Sequence, residues 1–304
     1  RCACAPCLEA GKDSELAGPH PPLMVVQAAS ALASSGPRGL FNTHRALLLE
    51  RGQMNRPTDL LPVDDELLAI QTEVREHFGW KLDTDTSSAR SMLEAVEASQ
   101  IDNWTRPRRA ANVAGLIRRM VLRPTEVAVL GAAVEADEVL RVLERPALLV
   151  AADGSAGVLS TLPDSTAERA WSRLACIVSD GDGGQGTIEA VKRGIPVFLH
   201  AHGDNFAEWA SLLEIATGSA TPSPLVLTHQ TPTTIPGMHN PGGFTDGDRA
   251  ACVVRSMGVP NEAITMLGTR IDVVGRWSGV TDPDTKMQKL QWMDKVLRTL
   301  EINY

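Results

Sequence analysis

Short apolar runs alternate with helix-like segments from Glu126 to the end of the chain. Runs with the length of buried strands occupy residues 127–130, 147–151, 175–179, 196–199, 225–227 and 264–267. Segments with helical periodicity occupy residues 135–143, 187–193, 206–217, 248–257 and 284–300. Strands that alternate with helices form right-handed β-α-β crossovers. This part of the chain therefore predicts an α/β fold, a mostly parallel, Rossmann-like sheet with flanking helices.

The first 123 residues have a different pattern. Residues 1–53 are rich in Ala, Gly, Pro and Ser without sustained periodicity, which predicts a poorly ordered extension, and Met54 is a candidate start for the regular sequence. Apolar residues then recur at helical spacing in residues 64–78, 87–98 and 110–122. We expect three regions: an extension at 1–53, a small helical region at 54–123, and an α/β domain at 124–304 that carries the candidate chemistry.

Composition and charge restrict the ligands that this chain can bind. A net charge of −8 argues against a nucleic acid or an anionic membrane as partner, because both require a basic face. It allows a phosphate ligand, since Mg²⁺ can bridge acidic side chains to phosphate. No apolar stretch approaches the roughly 20 residues of a spanning helix, so we expect a cytoplasmic protein; whether it is a homo-oligomer stays open. Cys176 and Cys252 lie in apolar runs, which predicts buried thiols.

Polar residues follow four of the predicted strands directly. Asp153-Gly154 follows the second strand and Asp180-Gly181-Asp182-Gly183 the third, while His200 and Thr228 open polar clusters after the fourth and fifth. The carboxyl ends of parallel strands share one edge of a sheet, and open α/β sheets bind their ligands at that edge. The sequence therefore predicts one ligand site built from these four clusters.

The acidic turn after the third strand is the candidate metal site. From Gly181 to Gly186 it formally matches the G-x-G-x-x-G pattern of dinucleotide-binding loops. Two carboxylates would repel a bare pyrophosphate, whereas Mg²⁺ is held by carboxylates together with substrate phosphates. We therefore expect Asp180 and Asp182 to bind Mg²⁺. A dinucleotide-binding loop and a glycine-rich turn with two solvated acids are the alternatives.

The pattern His200-x-His202-x-Asp204 allows two interpretations. Alternation at a strand end directs both imidazoles the same way, as in metal sites, and the pattern is similar to the H-x-H-x-D-H motif of metallo-β-lactamase-like zinc hydrolases. Asn205 replaces the final His of that motif, and only His229 and His239 remain as further zinc ligands. In the other interpretation the cluster orients phosphates and the nucleophile, with Asp204 as a third metal ligand or a base.

A glycine-rich loop at residues 242–249 leads into a predicted helix. Thr245, Asp246 and Arg249 at the start of this helix suit a phosphate contact. Asp248 has an equally good structural explanation, because an acidic side chain in the first turn interacts favourably with the helix dipole. Both interpretations stay open for Asp248.

These blocks together resemble the archaeal 6-hydroxymethyl-7,8-dihydropterin pyrophosphokinases, whose catalytic domain is related to thiamine pyrophosphokinase. The resemblance covers about residues 64–304 and is most specific in the two long blocks, His-Ala-His-Gly-Asp-Asn and Gly-Gly-Phe-Thr-Asp-Gly-Asp-Arg-Ala. The matching blocks are residues 152–154, 179–183, 200–205, 228–230 and 242–250, with the helix that contains Lys286, Lys289 and Leu290.

The resemblance implies that ATP donates its β,γ-diphosphate to the hydroxymethyl group of a reduced pterin and leaves as AMP, in tetrahydromethanopterin or folate synthesis. By analogy with thiamine pyrophosphokinase, Mg²⁺ binds Asp180 and Asp182, and the partners are small molecules, ATP and the pterin. The remaining expected roles are catalytic for His202, Asp204 and Asp246; ATP or phosphate binding for Asp153, Gly154, His200, Asn205, Thr245, Asp248 and Arg249; and acceptor binding for Thr228 and Gln230.

This chain departs from the family pattern in two blocks. The family usually has Thr-Asp-Leu-Asp-Gly where Ser179 and Gly181 stand here, but both acids are kept. After the first strand the family tends to have a Gly-x-Gly-Pro-Ser turn, whereas residues 131–135 read Gly-Ala-Ala-Val-Glu. We therefore assign no phosphate role to the turn after the first strand.

Overall fold

The computed structural model describes residues 58–122, 125–203, 205–279 and 282–304. These residues belong to one compact unit. The predictions made for residues 1–53, Met54 and Asp204 lie outside the described residues.

A six-stranded parallel sheet forms the centre of the described residues, in the order β5-β4-β3-β2-β1-β6. The predicted parallel α/β sheet is thereby confirmed. β4 and β5 run two residues further than predicted, because the ladder pairs His200 with Thr228 and Ala201 with His229. The strands are β1 Glu126–Leu130, β2 Ala147–Ala152, β3 Leu174–Ser179, β4 Val197–Ala201, β5 Leu225–His229 and β6 Ile264–Leu267.

Helices connect and flank these strands. They are α1 Glu66–Phe78, α2 Leu82–Ala98, α3 Arg106–Val121, α4 Ala136–Leu143, α5 Asp164–Arg173, α6 Gly184–Lys192, α7 Phe206–Thr217, α8 Asp246–Ser256 and α9 Pro283–Thr299. The apolar pattern did not predict α5, because its buried side chains are Ala167, Ala170 and Trp171 among polar neighbours. It also missed the 3-10 helices Asp102–Trp104, Asp153–Thr161 and Asn261–Ala263.

Strand order decides which face each helix covers. From β1 to β5 every connection moves in the same direction across the sheet, so right-handed crossovers place α4, α5, α6 and α7 on one face. The connection from β5 to β6 runs back across the sheet, and α8 covers the opposite face. At such a reversal of strand order, the carboxyl ends of the strands are open to a ligand between the helices of the two faces.

Two hydrophobic cores share the strands between them. Ala128 and Leu130 face one core while Val127 and Val129 face the other, as expected for strands buried on both faces. The helices before β1 contribute to both cores: α2 packs into the first, and α1 and α3 pack into the second. Cys176 and Cys252 are buried free thiols, as predicted. Among the described residues, no helix combines the length and the apolarity needed to cross a membrane.

Two histidines, the buried His229 at the end of β5 and the half-buried His239, make stability depend on pH. The Nδ1 atom of His229 accepts a hydrogen bond from the Thr231 amide at 3.1 Å, and that of His239 accepts one from the Leu60 amide at 3.2 Å. Both bonds require a neutral imidazole with an unprotonated Nδ1. Burial lowers the pKa of each histidine from 6.5 to about 4. For His229, the charge of His239 lowers the pKa further. For His239, the charge of Asp59 opposes the decrease and the charge of Arg109 adds to it.

We expect the free energy of unfolding to fall as the pH is lowered from 6.5 towards 4. The folded-state pKa values lie below the unfolded value, so the stabilisation is complete above pH 6.5 and is lost through this window, on the order of 3 kcal/mol per histidine. Urea unfolding across this range measures it. His239→Asn keeps a hydrogen-bond acceptor that does not titrate, so the free energy of unfolding should depend less steeply on pH. His77→Asn, at an exposed position, should leave this dependence unchanged. Equal pH dependence in His239→Asn and wild type would contradict this explanation.

Candidate active site

All six strands of the described sheet deliver residues to one cavity of about 310 Å³ at their carboxyl edge. This is the edge at which open parallel sheets bind ligands. In strand order from β1 to β6, the contributing residues are 131–133, then Asp153, then Asp180 and Asp182, then His202 and Asn205, then Gln230, and finally 268–270.

Three carboxylates meet at the centre of this cavity. Asp153, Asp180 and Asp182 each offer an oxygen, and these atoms lie within 4.8 Å of one another. Asp153 was expected to contact phosphate, but the structure groups it with the predicted metal pair because β2 and β3 are neighbours in the sheet. Its backbone is left-handed, with a φ of 49°, which is costly for a residue other than glycine and is typical of functional positions.

Burial and mutual repulsion control the charge of this group. Burial raises the pKa of Asp153 well above its ordinary value, and burial together with the charge of Asp180 raises the pKa of Asp182. Burial acts on Asp180 in the same direction, but His202 outweighs it and lowers the pKa of Asp180 below its ordinary value. The His202 Nε2 and Asp180 Oδ2 atoms are 3.2 Å apart. A cation among the three oxygens would relieve the repulsion.

A fourth acid stands at the start of α8. Arg249 Nη1 donates to Asp246 Oδ1 at 2.7 Å, and Nη2 donates to the Phe244 carbonyl at 2.6 Å, so the guanidinium ties the loop to the helix. Burial, with the charge of Asp180, raises the pKa of Asp246 to about 7 against the opposing charge of Arg249. Lys286 of α9 also lines the cavity, and its charge acts to lower the pKa of this carboxyl.

Asp248 forms a helix cap outside the cavity lining. Its carboxylate accepts from the amides of Thr245 at 2.8 Å and Phe244 at 2.6 Å and from the Thr245 hydroxyl, which makes a capping box at the start of α8. Both carboxylate oxygens are occupied and the residue is fully buried. The structure thus supports the helix-start role that the sequence left open for Asp248, while Thr245 does line the cavity.

Three of the other predicted site residues support the cavity floor. His200 and Thr228 are buried in β4 and β5, with 3.0 Å between Nδ1 and Oγ1, and neither lines the cavity. Burial lowers the pKa of His200 well below 6.5, and the charge of Arg249 adds to this, so the ring is neutral. Asn205 does line the cavity, and its Nδ2 donates to the carbonyls of Asp180 and His200, each at 2.8 Å.

The glycines of the acidic turn allow close packing of protein segments. A Cβ atom on Gly183 would collide with Asp153 Oδ1, and one on Gly186 would collide with the Gly154 carbonyl. A Cβ atom on Gly154 would come within 2.7 Å of the Gly183 carbonyl. These residues let α6 pack directly on the 3-10 helix Asp153–Thr161. A Cβ atom on Gly181 would come within 2.7 Å of the Glu208 backbone, so packing accounts for all three glycines of the G-x-G-x-x-G pattern without a bound dinucleotide.

Several cavity residues carried no recognisable motif. The turn at 131–133 was assigned no phosphate role, yet it lines the cavity and is tied to β6 by the Gly131 amide, which donates to the Leu267 carbonyl at 2.7 Å. Its position after β1 was the available signal, because every strand of a parallel sheet ends at the ligand edge. The others are Trp80, Glu208, 268–270, Val273, Gly275, 277–279 and Met293, while Lys286, Lys289 and Leu290 were noted only through the resemblance.

Two known proteins that are similar to this chain carry the same name. No family model matches the chain. The 6-hydroxymethyl-7,8-dihydropterin pyrophosphokinase of Methanothermobacter thermautotrophicus (strain Delta H) is 32% identical over 179 residues, which covers 54% of this chain and 67% of that relative. The Pyrococcus furiosus protein of the same name is 32% identical over 137 residues, covering 42% of this chain and 54% of the relative. The chain therefore belongs to the 6-hydroxymethyl-7,8-dihydropterin pyrophosphokinase family.

Proposed function

We propose that this protein transfers the β,γ-diphosphate of ATP to the hydroxyl group of 6-hydroxymethyl-7,8-dihydropterin and releases AMP. It would act as a Mg²⁺-dependent diphosphokinase in tetrahydromethanopterin or folate-type biosynthesis. The carboxylate group Asp153, Asp180 and Asp182 carries the proposal, because it stands at the ligand edge of a chain whose relatives are named pterin pyrophosphokinases.

The chemistry of this group suits Mg²⁺. Its donors are carboxylate oxygens, the ligands that a hard cation prefers, and among the described residues no imidazole joins the cluster. The remaining ligands of a zinc hydrolase would be His229 and His239, whose Nδ1 atoms already accept backbone hydrogen bonds. The observations therefore favour the diphosphokinase over the zinc hydrolase. When bound, Mg²⁺ would neutralise charge on the β- and γ-phosphates.

The residues around the carboxylates supply positioning and proton transfer in this proposal. The pterin hydroxyl oxygen attacks the β-phosphorus of ATP, the bond from that phosphorus to the bridging α,β-oxygen breaks, and AMP leaves. Asp246 accepts the hydroxyl proton, since it lines the cavity outside the metal cluster and its pKa of about 7 suits a base. Arg249 holds Asp246 in place, and His202 holds Asp180.

Other groups of the cavity wall contact phosphate in this proposal. Lys286 lines the cavity near Asp246 and offers a positive charge, whereas the Thr245 hydroxyl donates to Asp248 and is not available as a donor to phosphate. Asn205 orients the loop after β4, and Gln230 binds the acceptor. Asp204, outside the described residues, is the alternative proton acceptor.

An acceptor panel with ATP and Mg²⁺ tests the proposed reaction. We expect AMP and the pterin diphosphate to form in equal amounts from 6-hydroxymethyl-7,8-dihydropterin, measured by ion-exchange chromatography. 6-Methyl-7,8-dihydropterin, which lacks the hydroxyl group, is the control and should release no AMP. ADP as product would exclude diphosphate transfer. Faster turnover with thiamine would show that thiamine is the acceptor and the pterin is not. Turnover that requires zinc would favour the zinc hydrolase.

A further inference from the structure

The cavity has two chemically different ends. Near β1 and β6, the hydroxyl groups of Thr269 and Ser278 are buried without a hydrogen-bond partner, and Arg270 lies in the same wall. Buried polar atoms are costly unless a partner satisfies them, and hydroxyl and guanidinium groups suit a ribose and phosphates. This end therefore suits the nucleotide, which leaves the opposite end for the acceptor.

The opposite end presents an indole ring. Trp80 lines the cavity with 39% of its surface exposed. Its ring stacks on Phe78, with centroids 4.7 Å apart and planes inclined by 16°, and lies 6.0 Å from Phe244. Lys289 Nζ lies 5.3 Å from the centroid of the same ring. Phe78 and Phe244 hold the indole in one orientation, and the part of the ring that they leave exposed is available to a ligand that displaces the Lys289 side chain.

A buried ion pair fixes the polar group at this end. Gln230 Nε2 donates to both carboxylate oxygens of Asp85, each at 3.1 Å, and Arg75 Nη1 donates to the Gln230 carbonyl at 2.8 Å. Arg75 Nη1 also lies 3.6 Å from Asp85 Oδ2, and all three residues are buried. Because Asp85 takes up the amide nitrogen, the orientation of the Gln230 amide is determined. Gln230 thus places a fixed amide in the cavity wall.

Backbone hydrogen bonds connect the indole to this polar group. The Trp80 amide donates to the Arg75 carbonyl at 2.9 Å, and Arg75 in turn binds Gln230. Phe244, which approaches the indole from the other side, precedes Asp246 by two positions. The indole, the fixed Gln230 amide and the residue proposed to accept the hydroxyl proton therefore line the same cavity.

We propose that Trp80 is the stacking surface for the flat bicyclic ring of the acceptor, with the Gln230 amide at the ring edge. This inference rests on the proposed function and adds to it the residue that selects a flat acceptor. A pterin matches both groups, since it joins an aromatic face to a hydrogen-bonding edge. Stacking on an aromatic side chain is a substantial part of the affinity for such rings.

Calorimetry with unreactive ligands tests the role of Trp80. The probes are 6-methyl-7,8-dihydropterin and α,β-methylene ATP, both with Mg²⁺. We expect Trp80→Leu to weaken binding of the pterin about tenfold and to change the Kd of the nucleotide less than about twofold. Trp80→Phe keeps a stacking face and should stay within about threefold of wild type for the pterin. Phe206→Leu is the control, because Phe206 is 55% exposed but does not line the cavity.

The outcomes separate this inference from the proposed function. Wild type that binds the pterin, with Trp80→Leu binding it equally well, would overturn the stacking role alone. Loss of nucleotide binding in Trp80→Leu would assign the indole to adenine and would also overturn it. Wild type that binds no pterin would contradict the proposed function itself, together with the acceptor site.

Discussion

Asp180→Asn and Asp182→Asn are each expected to lower turnover at least about a hundredfold, the scale of one lost electrostatic contact to a transition state. Both carboxylates belong to the cluster of three carboxylate oxygens, and asparagine keeps their size while it removes the charge that holds a cation. Initial rates of AMP release at saturating ATP and Mg²⁺ measure the effect. Asp83→Asn, an exposed acid on α2 outside the cavity, is the control and should keep wild-type turnover.

Thermal unfolding distinguishes a lost metal site from a damaged fold. Without Mg²⁺, Asp182→Asn should unfold at or above the wild-type temperature, because burial and Asp180 already oppose a charge at this position. Asp180→Asn should unfold slightly earlier, since it loses the contact with His202. In both variants the Tm increase that Mg²⁺ gives the wild type should disappear. Near-normal turnover with an unchanged Mg²⁺ effect would place the metal site elsewhere.

Asp85→Ala is expected to lower the free energy of unfolding by about 3–5 kcal/mol. The substitution leaves the Arg75 guanidinium buried without its counter-ion, and it removes the acceptor of the Gln230 amide and of the Gly203 amide, which donates at 2.8 Å. Urea unfolding at neutral pH measures the loss. Glu94→Ala, at an exposed position of the same helix, should change stability by less than about 0.5 kcal/mol.

Asp85→Asn separates the positioning role from the stabilising one. Asparagine keeps one acceptor oxygen, so we expect a smaller loss of stability than in the alanine variant. Asparagine also replaces one acceptor oxygen with an NH₂ donor that faces the Gln230 Nε2 donor, and this disturbs the orientation of the Gln230 side chain. The KM for the pterin should therefore rise more than the KM for ATP. Equal changes in both constants would indicate a general effect on the fold and no specific positioning of Gln230.

The sheet and its ligand edge were predictable from local sequence. A strand buried on both faces appears as a continuous apolar run, and five of the six described strands contain one; in β6 the run is interrupted by Thr265. Polar residues after such runs belong to the carboxyl edge, which is why the positions of Asp180 and Asp182 could be predicted without a structure. Helix α5 and the 3-10 helix Asp153–Thr161 were not predictable in the same way, because small and polar residues give no clear period.

The chemical grouping within the cavity required the tertiary structure. Asp153 joins Asp180 and Asp182 only because β2 and β3 lie side by side, and Asp248 leaves the site because its carboxylate caps α8. Trp80 and Asp85 lie on the helical region before the sheet, and Asp85 meets its partner Gln230 across 145 positions of the chain. Periodicity and motif spacing report how a segment folds with its sequence neighbours. Contacts between distant segments depend on strand order and on helix packing across the sheet, so only the tertiary structure shows them.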